Sequence, residues 1–139
     1  MIAYFDTSAI LPLIVEEPTS ELAVRLWNLA DRVMSVRLLY PEGRAALAQA
    51  RWSGRLSPRQ ARAAGSRFDE LFHQVDVIEI TEHLAFRAGE LAEQHHLRGY
   101  DAVHLAGAEM VSDPDTVLVA GDRPLCDAAG RLGMSVARL

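Results

Sequence analysis

Lysine is absent from this chain of 139 residues, whose fourteen basic side chains are all arginines. Cysteine occurs once, at Cys126, which excludes an intrachain disulfide and any zinc site with several cysteines. No apolar run approaches the ~20 residues that a membrane-spanning helix requires. The first residues also lack the basic and apolar regions of a signal peptide. Together these absences predict a cytoplasmic protein that does not bind membranes.

Several enzyme motifs are missing as well. No Gly-x-Gly-x-x-Gly follows a candidate strand and no Gly-Lys-Ser/Thr occurs, so nucleotide cofactors are unsupported. Response-regulator receiver domains and haloacid-dehalogenase-type phosphatases place aspartates at strand ends, but both classes rely on a lysine. Such phosphatases also need Asp-x-Asp after the first strand, whereas Asp6 is followed by Thr7 and Ser8.

The composition that remains is that of a folded protein. Hydrophobic residues make up 50% of the chain and charged residues 24%, which argues against disorder. A chain of this length buries about two-thirds of the surface that it exposes when unfolded. We therefore expect a single domain over residues 1–139.

Short apolar runs alternate with helical patterns along the chain. Strands are predicted at 2–5, 33–36, 75–80, 116–120 and 134–137. Helices are predicted after Asp6, around 22–33, at 41–54, 58–74 and 81–99, from Asp101 to about Val111, and from Pro124 to about Gly133. Strands that are separated by helices form parallel sheets covered on both faces. The sequence therefore predicts a three-layer α/β/α fold with a central parallel sheet of about five strands.

Four acidic residues fall where such a fold binds ligands. Each stands at the carboxyl end of a predicted strand or in the first turn of a helix, and they are Asp6, Glu42, Asp101 and Asp122. Alone, each is most simply explained as a helix cap or a first-turn acid. In a parallel sheet, however, all four positions meet at one edge.

Four converging carboxylates would repel one another and take up protons unless a cation lay among them. Hard oxygen ligands in an open site suit Mg²⁺, with Mn²⁺ as the other candidate. A metal of this kind activates a water molecule and stabilises an in-line displacement at phosphorus. The acidic edge thus indicates phosphodiester hydrolysis.

The positive charge is concentrated in one segment. Residues 37–67 contain seven arginines and one acid, whereas the rest of the chain holds seven arginines and eighteen acids, for a net charge of −5. In the predicted third helix Arg44, Arg51 and Arg55 share a face, and Arg59 opens the fourth helix. These four arginines are candidate RNA-phosphate contacts, although a protein interface or a solvated face explains them nearly as well.

The sequence resembles the PIN-domain ribonucleases, in particular the VapC-type toxins of VapBC toxin–antitoxin pairs. The resemblance covers essentially the whole chain and is carried by four pieces. They are the first strand with Asp6-Thr7-Ser8, then residues 40–47 (YPEGRAAL), residues 97–106 (LRGYDAVHLA), which are the most specific, and residues 118–125 (LVAGDRPL).

This resemblance implies an Mg²⁺-dependent endoribonuclease whose acidic set is Asp6, Glu42, Asp101 and Asp122. It also implies a homodimer that a small cognate antitoxin neutralises. Asp6, Asp101 and Asp122 would hold the metal, with the Ser8 hydroxyl in support. The chain departs from the family pattern at Ala120, where a Thr or Ser is frequent two residues before the last aspartate.

Two other functions stay open at this point. One is a catalytically inert PIN-fold binding module, which Ala120 slightly favours. The other is a nuclease without an antitoxin, acting in RNA maturation or DNA processing. His104 and Trp52 are expected to be structural, His104 as a packed helix residue and Trp52 as a core or dimer contact.

Overall fold

The chain, described as a computed structural model from Met1 to Leu139, is organised around one parallel sheet. Its strands are β1 (Ile2–Phe5), β2 (Arg32–Val36), β3 (Asp76–Ile78), β4 (Thr116–Ala120) and β5 (Ser135–Arg138). Their order across the sheet is β3-β2-β1-β4-β5, and every neighbouring pair is parallel. The chain therefore winds outwards in both directions from β1, which lies at the centre.

Helices connect all of the strands. They are α1 (Thr7–Ile10), continued by a 3-10 turn at Leu11–Leu13, α2 (Ser20–Leu29), α3 (Leu39–Trp52), α4 (Pro58–Phe72), α5 (Glu82–His95), α6 (Gly99–Met110) and α7 (Arg123–Arg131). None of them combines the length with the apolar composition that crossing a membrane requires.

Both faces of the sheet are covered. Along β1 the side chains alternate, so that Tyr4 packs with α5, α6 and α7 while Ala3 and Phe5 pack with helices α1 to α4. A strand that is buried on both faces has no polar side, which explains why 2–5 is a continuous apolar run. The predicted three-layer α/β/α fold with five parallel strands is confirmed.

Several element boundaries differ from the predicted ones. β3 is three residues long rather than six, and Val33 belongs to β2 rather than to the preceding helix. Gly99, expected to break a helix, instead begins α6 two residues before Asp101. α3 ends at Trp52 and Gly54 follows with a positive φ of 82°. Arg55 therefore lies beyond the helix and does not share the face of Arg44 and Arg51.

Candidate active site

Asp6 follows β1 directly and is held at the carboxyl edge of the sheet. Its backbone N–H donates to the carbonyl of Val119 on β4, at 3.2 Å. Its side chain is only 4% exposed, and Oδ1 accepts a hydrogen bond of 2.5 Å from the Ser8 hydroxyl. Ser8 in turn accepts from the N–H of Gly121 at 2.7 Å. Ser8 therefore joins Asp6 to the loop after β4.

Asp6 occupies the N-cap position of α1, but its carboxylate makes no capping hydrogen bond. The simplest sequence-based explanation, a helix cap, does not account for this buried acid. Burial raises the pKa of Asp6 to about 6, and the negative charges of Asp122 and Glu42 add to the shift, while His104 and Ser8 oppose it. An ionised Asp6 is thus costly here unless a positive charge is nearby.

Asp101 and Asp122 form a second acidic group on the same edge, bridged by Arg98. Asp101 lies in the first turn of α6 and is 6% exposed. Arg98 donates from Nε to Asp101 at 2.8 Å and from Nη2 to Asp122 at 3.4 Å. Asp122 does cap its helix, because its Oδ2 accepts from the N–H of Leu125 at 3.0 Å. Both carboxylates are therefore paired with one guanidinium.

The pKa of Asp101 is raised, chiefly by burial and in part by the charge of Asp122, while the hydrogen bond from Arg98 opposes the rise. Asp6 and Asp101 thus share one property, a carboxyl group that the fold has removed from water. Burying two acids at the same edge destabilises a protein unless their charge is used or compensated.

Glu42 is the fourth acid, and it is turned towards His104. Its Oε1 accepts from the Thr7 hydroxyl at 2.9 Å and lies 2.6 Å from His104 Nε2. Glu42 lies in the first turn of α3. At the following residue, Gly43, α3 packs closely on α4. A Cβ at Gly43 would overlap the ring of Phe68, so glycine permits the approach that fixes this end of α3.

The four acids do not form a closed metal cage. No group of three or more His, Cys, Asp or Glu side chains is arranged so as to hold a metal ion. The reason is visible in the pairings, since Asp6 turns to Ser8, Glu42 to His104, and the last two aspartates to Arg98. The side chains present are nevertheless carboxylates, two of them buried, and carboxylate oxygens are the type of ligand that Mg²⁺ and Mn²⁺ prefer.

Sequence reasoning missed three participants at this edge, namely Arg98, Thr7 and the Tyr4–His104 pair. Arg98 stands three residues before Asp101, a spacing that brings two side chains together on a helix and was available as a signal. No sequence pattern links Tyr4 or Thr7 with His104, because these contacts join residues about a hundred positions apart. His104 is buried in its helix, as expected.

The basic segment divides into paired and unpaired arginines. Arg44 donates to Asp69 on α4 at 2.6 Å, and Arg55 lies 3.3 Å from Glu17. Arg51 and Arg59 have no such partner. An open groove of about 350 Å³ between α3 and α4 is lined by residues that include Arg51 and Trp52. Trp52 is 77% exposed and therefore not a core residue of this chain.

Comparison with known proteins agrees with this architecture. The family model described as PIN domain matches residues 3–130. Ribonuclease VapC49 of Mycobacterium tuberculosis H37Rv is 40% identical over 136 residues, which are 98% of this chain and 94% of that protein. The family match spans most of the chain, so the chain belongs to the PIN-domain family, alongside the VapC ribonucleases.

Two solved structures share the fold. The Mycobacterium tuberculosis VapC20 toxin, described as cleaving the sarcin–ricin loop, superposes with a TM-score of 0.72 at 22% identity, covering 99% of each chain. VapBC2 of Rickettsia felis, bound to a DNA fragment from its promoter, has a TM-score of 0.67 at 16% identity, covering 100% of this chain and 99% of that one.

Proposed function

We propose that this protein is a Mg²⁺-dependent endoribonuclease and the toxin of a toxin–antitoxin pair. The observation that carries the proposal is the pair of buried carboxylates, Asp6 and Asp101, on the sheet edge that also bears Asp122. Support comes from relatives at 35–40% identity, which are named ribonuclease VapC. Mn²⁺ offers the same chemistry to the same oxygens.

The four acids have two roles in the proposed reaction, metal binding and proton transfer. When bound, the ion would supply positive charge at the phosphate and lower the pKa of a water molecule. Asp6, Asp101 and Asp122 would hold it, with Ser8 fixing the orientation of Asp6. Glu42 is engaged only through Oε1, and its Oε2 makes no hydrogen bond in the protein. Glu42 is thus placed to take the proton of the attacking water.

A cognate antitoxin is the proposed partner, together with a second copy of this chain in a homodimer. Another protein of the same fold, from Klebsiella pneumoniae, is described as a toxin–antitoxin complex. The Arg98 guanidinium, which bridges Asp101 and Asp122, demonstrates that an arginine fits these acids in this fold. We propose that an antitoxin arginine pairs with the same edge and blocks the metal. The cytoplasm is the proposed location of both partners.

One alternative has specific support. An inert PIN-fold binding module would keep the fold and the partner interface without cleaving RNA. Arg98 already neutralises part of the acidic edge, and Ala120 offers no hydroxyl where the family often has one. The two candidates differ in whether RNA is cut when the chain is expressed.

The test is to sequence RNA 5′ ends after induction of the wild type, Asp6→Asn and the control Asp127→Asn. Asp127 is an exposed acid of α7, with 53% of its side chain accessible. We expect new 5′ ends for the wild type and the control but none for Asp6→Asn. Co-expression of a cognate antitoxin should suppress them. New ends that persist in a folded Asp6→Asn protein, or that are absent from the wild type, would contradict the proposal.

A further inference from the structure

His104 is an almost completely buried polar side chain near the acids. It lies one turn after Asp101 on α6 and is 1% exposed. Both ring nitrogens have partners, since Nε2 lies 2.6 Å from Glu42 Oε1 and Nδ1 lies 3.1 Å from the hydroxyl of Tyr4. The ring therefore connects the central strand β1 with the first turn of α3.

The direction of these hydrogen bonds follows from the chemistry of the partners. An ionised carboxylate only accepts, so His104 Nε2 carries the hydrogen that Glu42 receives. Burial raises the pKa of the Tyr4 phenol, so Tyr4 keeps its proton and can donate to a neutral ring at Nδ1. A chain of donors thus runs from Tyr4 through His104 to Glu42.

A glycine on α6 makes room for this chain of hydrogen bonds. A Cβ at Gly107, one turn beyond His104 on α6, would come within 2.5 Å of Val36 and 2.9 Å of the Tyr4 hydroxyl. Glycine at this position lets α6 lie close to β1 and β2. The Tyr4 hydroxyl consequently reaches His104 inside the core, where water is excluded.

Only one of the two carboxylate oxygens of Glu42 is held by hydrogen bonds. Oε1 takes hydrogen bonds from His104 and Thr7, and Oε2 is left free. We propose that His104 is a positioning residue that fixes the orientation of Glu42, so that Oε2 is presented to the reacting water. The inference rests on the part given to Glu42 in the proposed function, and it gives the buried histidine a task beyond packing.

Four variants separate positioning from packing. His104→Leu removes the donor, whereas His104→Gln retains an N–H that can reach Glu42 from a similar position. Glu42→Gln tests the role of the acid itself. The matched control is Thr116→Val, which deletes another buried hydrogen bond, the 2.9 Å bond from Thr116 to the Val111 carbonyl, at the end of β4 remote from Glu42.

Kinetics on a single-stranded RNA give the first readout. We expect His104→Leu to lower kcat on the order of 10²-fold, the cost of a misplaced reacting group, with KM unchanged. His104→Gln should recover most of the rate, and Thr116→Val should lower stability but not kcat. If Glu42→Gln cleaves like the wild type, the role of Glu42 in the proposed function fails. If Glu42→Gln is impaired while His104→Leu keeps its kcat, only the positioning inference fails.

A second readout needs no substitution and no RNA. The ¹⁵N shifts of the His104 ring in the wild-type protein report which nitrogen carries hydrogen. We expect a hydrogen on Nε2, in the neutral ring or the imidazolium. A ring with hydrogen on Nδ1 alone could not donate to Glu42 and would overturn the inference, whether or not the His104 variants fold.

Discussion

Asp6 determines much of the electrostatics at the acidic edge because it is almost entirely enclosed. Its carboxylate has one short hydrogen bond, from Ser8, and no bond to the helix that it precedes. Two further acids, Asp122 and Glu42, raise its pKa in addition to the effect of burial. In buffer without divalent cations, this residue should therefore lower the stability of the protein rather than increase it.

We expect Asp6→Asn to be more stable than the wild type in metal-free buffer at neutral pH. The folded-state pKa of about 6 lies above the ordinary aspartate pKa of 3.8, so the stability contributed by the protonated group is complete below pH 4 and lost as pH rises towards 6. The shift corresponds to about 3 kcal/mol at most.

Urea unfolding of both proteins between pH 4 and pH 7.5 measures this difference. The advantage of Asp6→Asn should grow as the pH rises and level off above about pH 6.5, while Asp127→Asn should track the wild type. An advantage that stays constant across the range, or a less stable Asp6→Asn at pH 7.5, would show that the Asp6 carboxyl is not strained as described.

Arg98 is the residue that keeps the last two aspartates compensated. Its side chain is 61% exposed, and its guanidinium carbon lies 4.8 Å from the centre of the Tyr100 ring. The side chain can therefore turn away from Asp101 and Asp122 when a divalent cation binds them. Under the proposed function, a divalent ion would have to displace Arg98 from the oxygens of Asp101 and Asp122.

Arg98→Gln should consequently bind Mg²⁺ more tightly than the wild type. Exposed ion pairs contribute up to about 1 kcal/mol, so we expect a gain of about two- to fivefold in affinity by isothermal titration calorimetry. Arg25→Gln removes an exposed arginine from α2 and serves as the control for net charge. Weaker binding by Arg98→Gln would mean that Arg98 assists the metal rather than competing with it.

At the scale of elements, α7 shows one side chain with two functions. Asp122 accepts the N–H of Leu125 as the N-cap, and it also belongs to the acidic edge through Arg98. The sequence suggested a cap for each acid separately. That suggestion holds for Asp122 and fails for Asp6, whose φ and ψ suit an N-cap but whose carboxylate is directed to Ser8.

Two substitutions separate the functions of Asp122. Asparagine caps helices about as well as aspartate, whereas alanine does not. We therefore expect Asp122→Ala to unfold about 1 kcal/mol more easily than Asp122→Asn, as measured by urea denaturation. Both should lose cleavage, because neither retains the charge. Equal stability of the two variants would remove the capping role, and full cleavage by Asp122→Asn would remove the catalytic one.

The elements that sequence predicted well are those with a strong local signal. β1 and β4 are continuous apolar runs, and α4 begins at Pro58 as predicted, after a reciprocal cap between Ser57 and Gln60. β3 ended early because its only neighbour, β2, ends at Val36, the residue that pairs with Ile78. α6 started early, with Arg98 at its N-cap and Gly99 as its first residue.

At the scale of the whole molecule, charge is divided between two regions. Arg51 and Arg59 lie on α3 and α4 without ion-pair partners, whereas acids dominate the rest of the chain. Local potential, rather than the net charge of −5, governs the contact with a polyanion. The sequence could reveal the accumulation of arginines, but only the fold shows that Arg44 is neutralised by Asp69.

Replacing Arg51, Arg55 and Arg59 together by Gln should weaken RNA binding in a salt-dependent manner. The plot of log K against log salt has a negative slope, and each lost phosphate contact on a single strand reduces its magnitude by about 0.7. Fluorescence anisotropy in the Asp6→Asn background measures binding without cleavage. Gln at Arg25, Arg32 and Arg131 gives a control of the same net charge. If both triple variants bind RNA equally at every salt concentration, the basic segment is not an RNA surface.

Cleavage of a defined RNA by the purified chain, with Mg²⁺ and with a chelator, is the most direct test of the central claim. The acidic edge is held to be a metal-dependent nuclease site. The wild type should therefore cut with Mg²⁺ and stop when it is chelated. Folded Asp101→Asn should be inactive at the Mg²⁺ concentrations that saturate the wild type. Cutting that continues in the chelator, or equal activity of Asp101→Asn, would contradict the account.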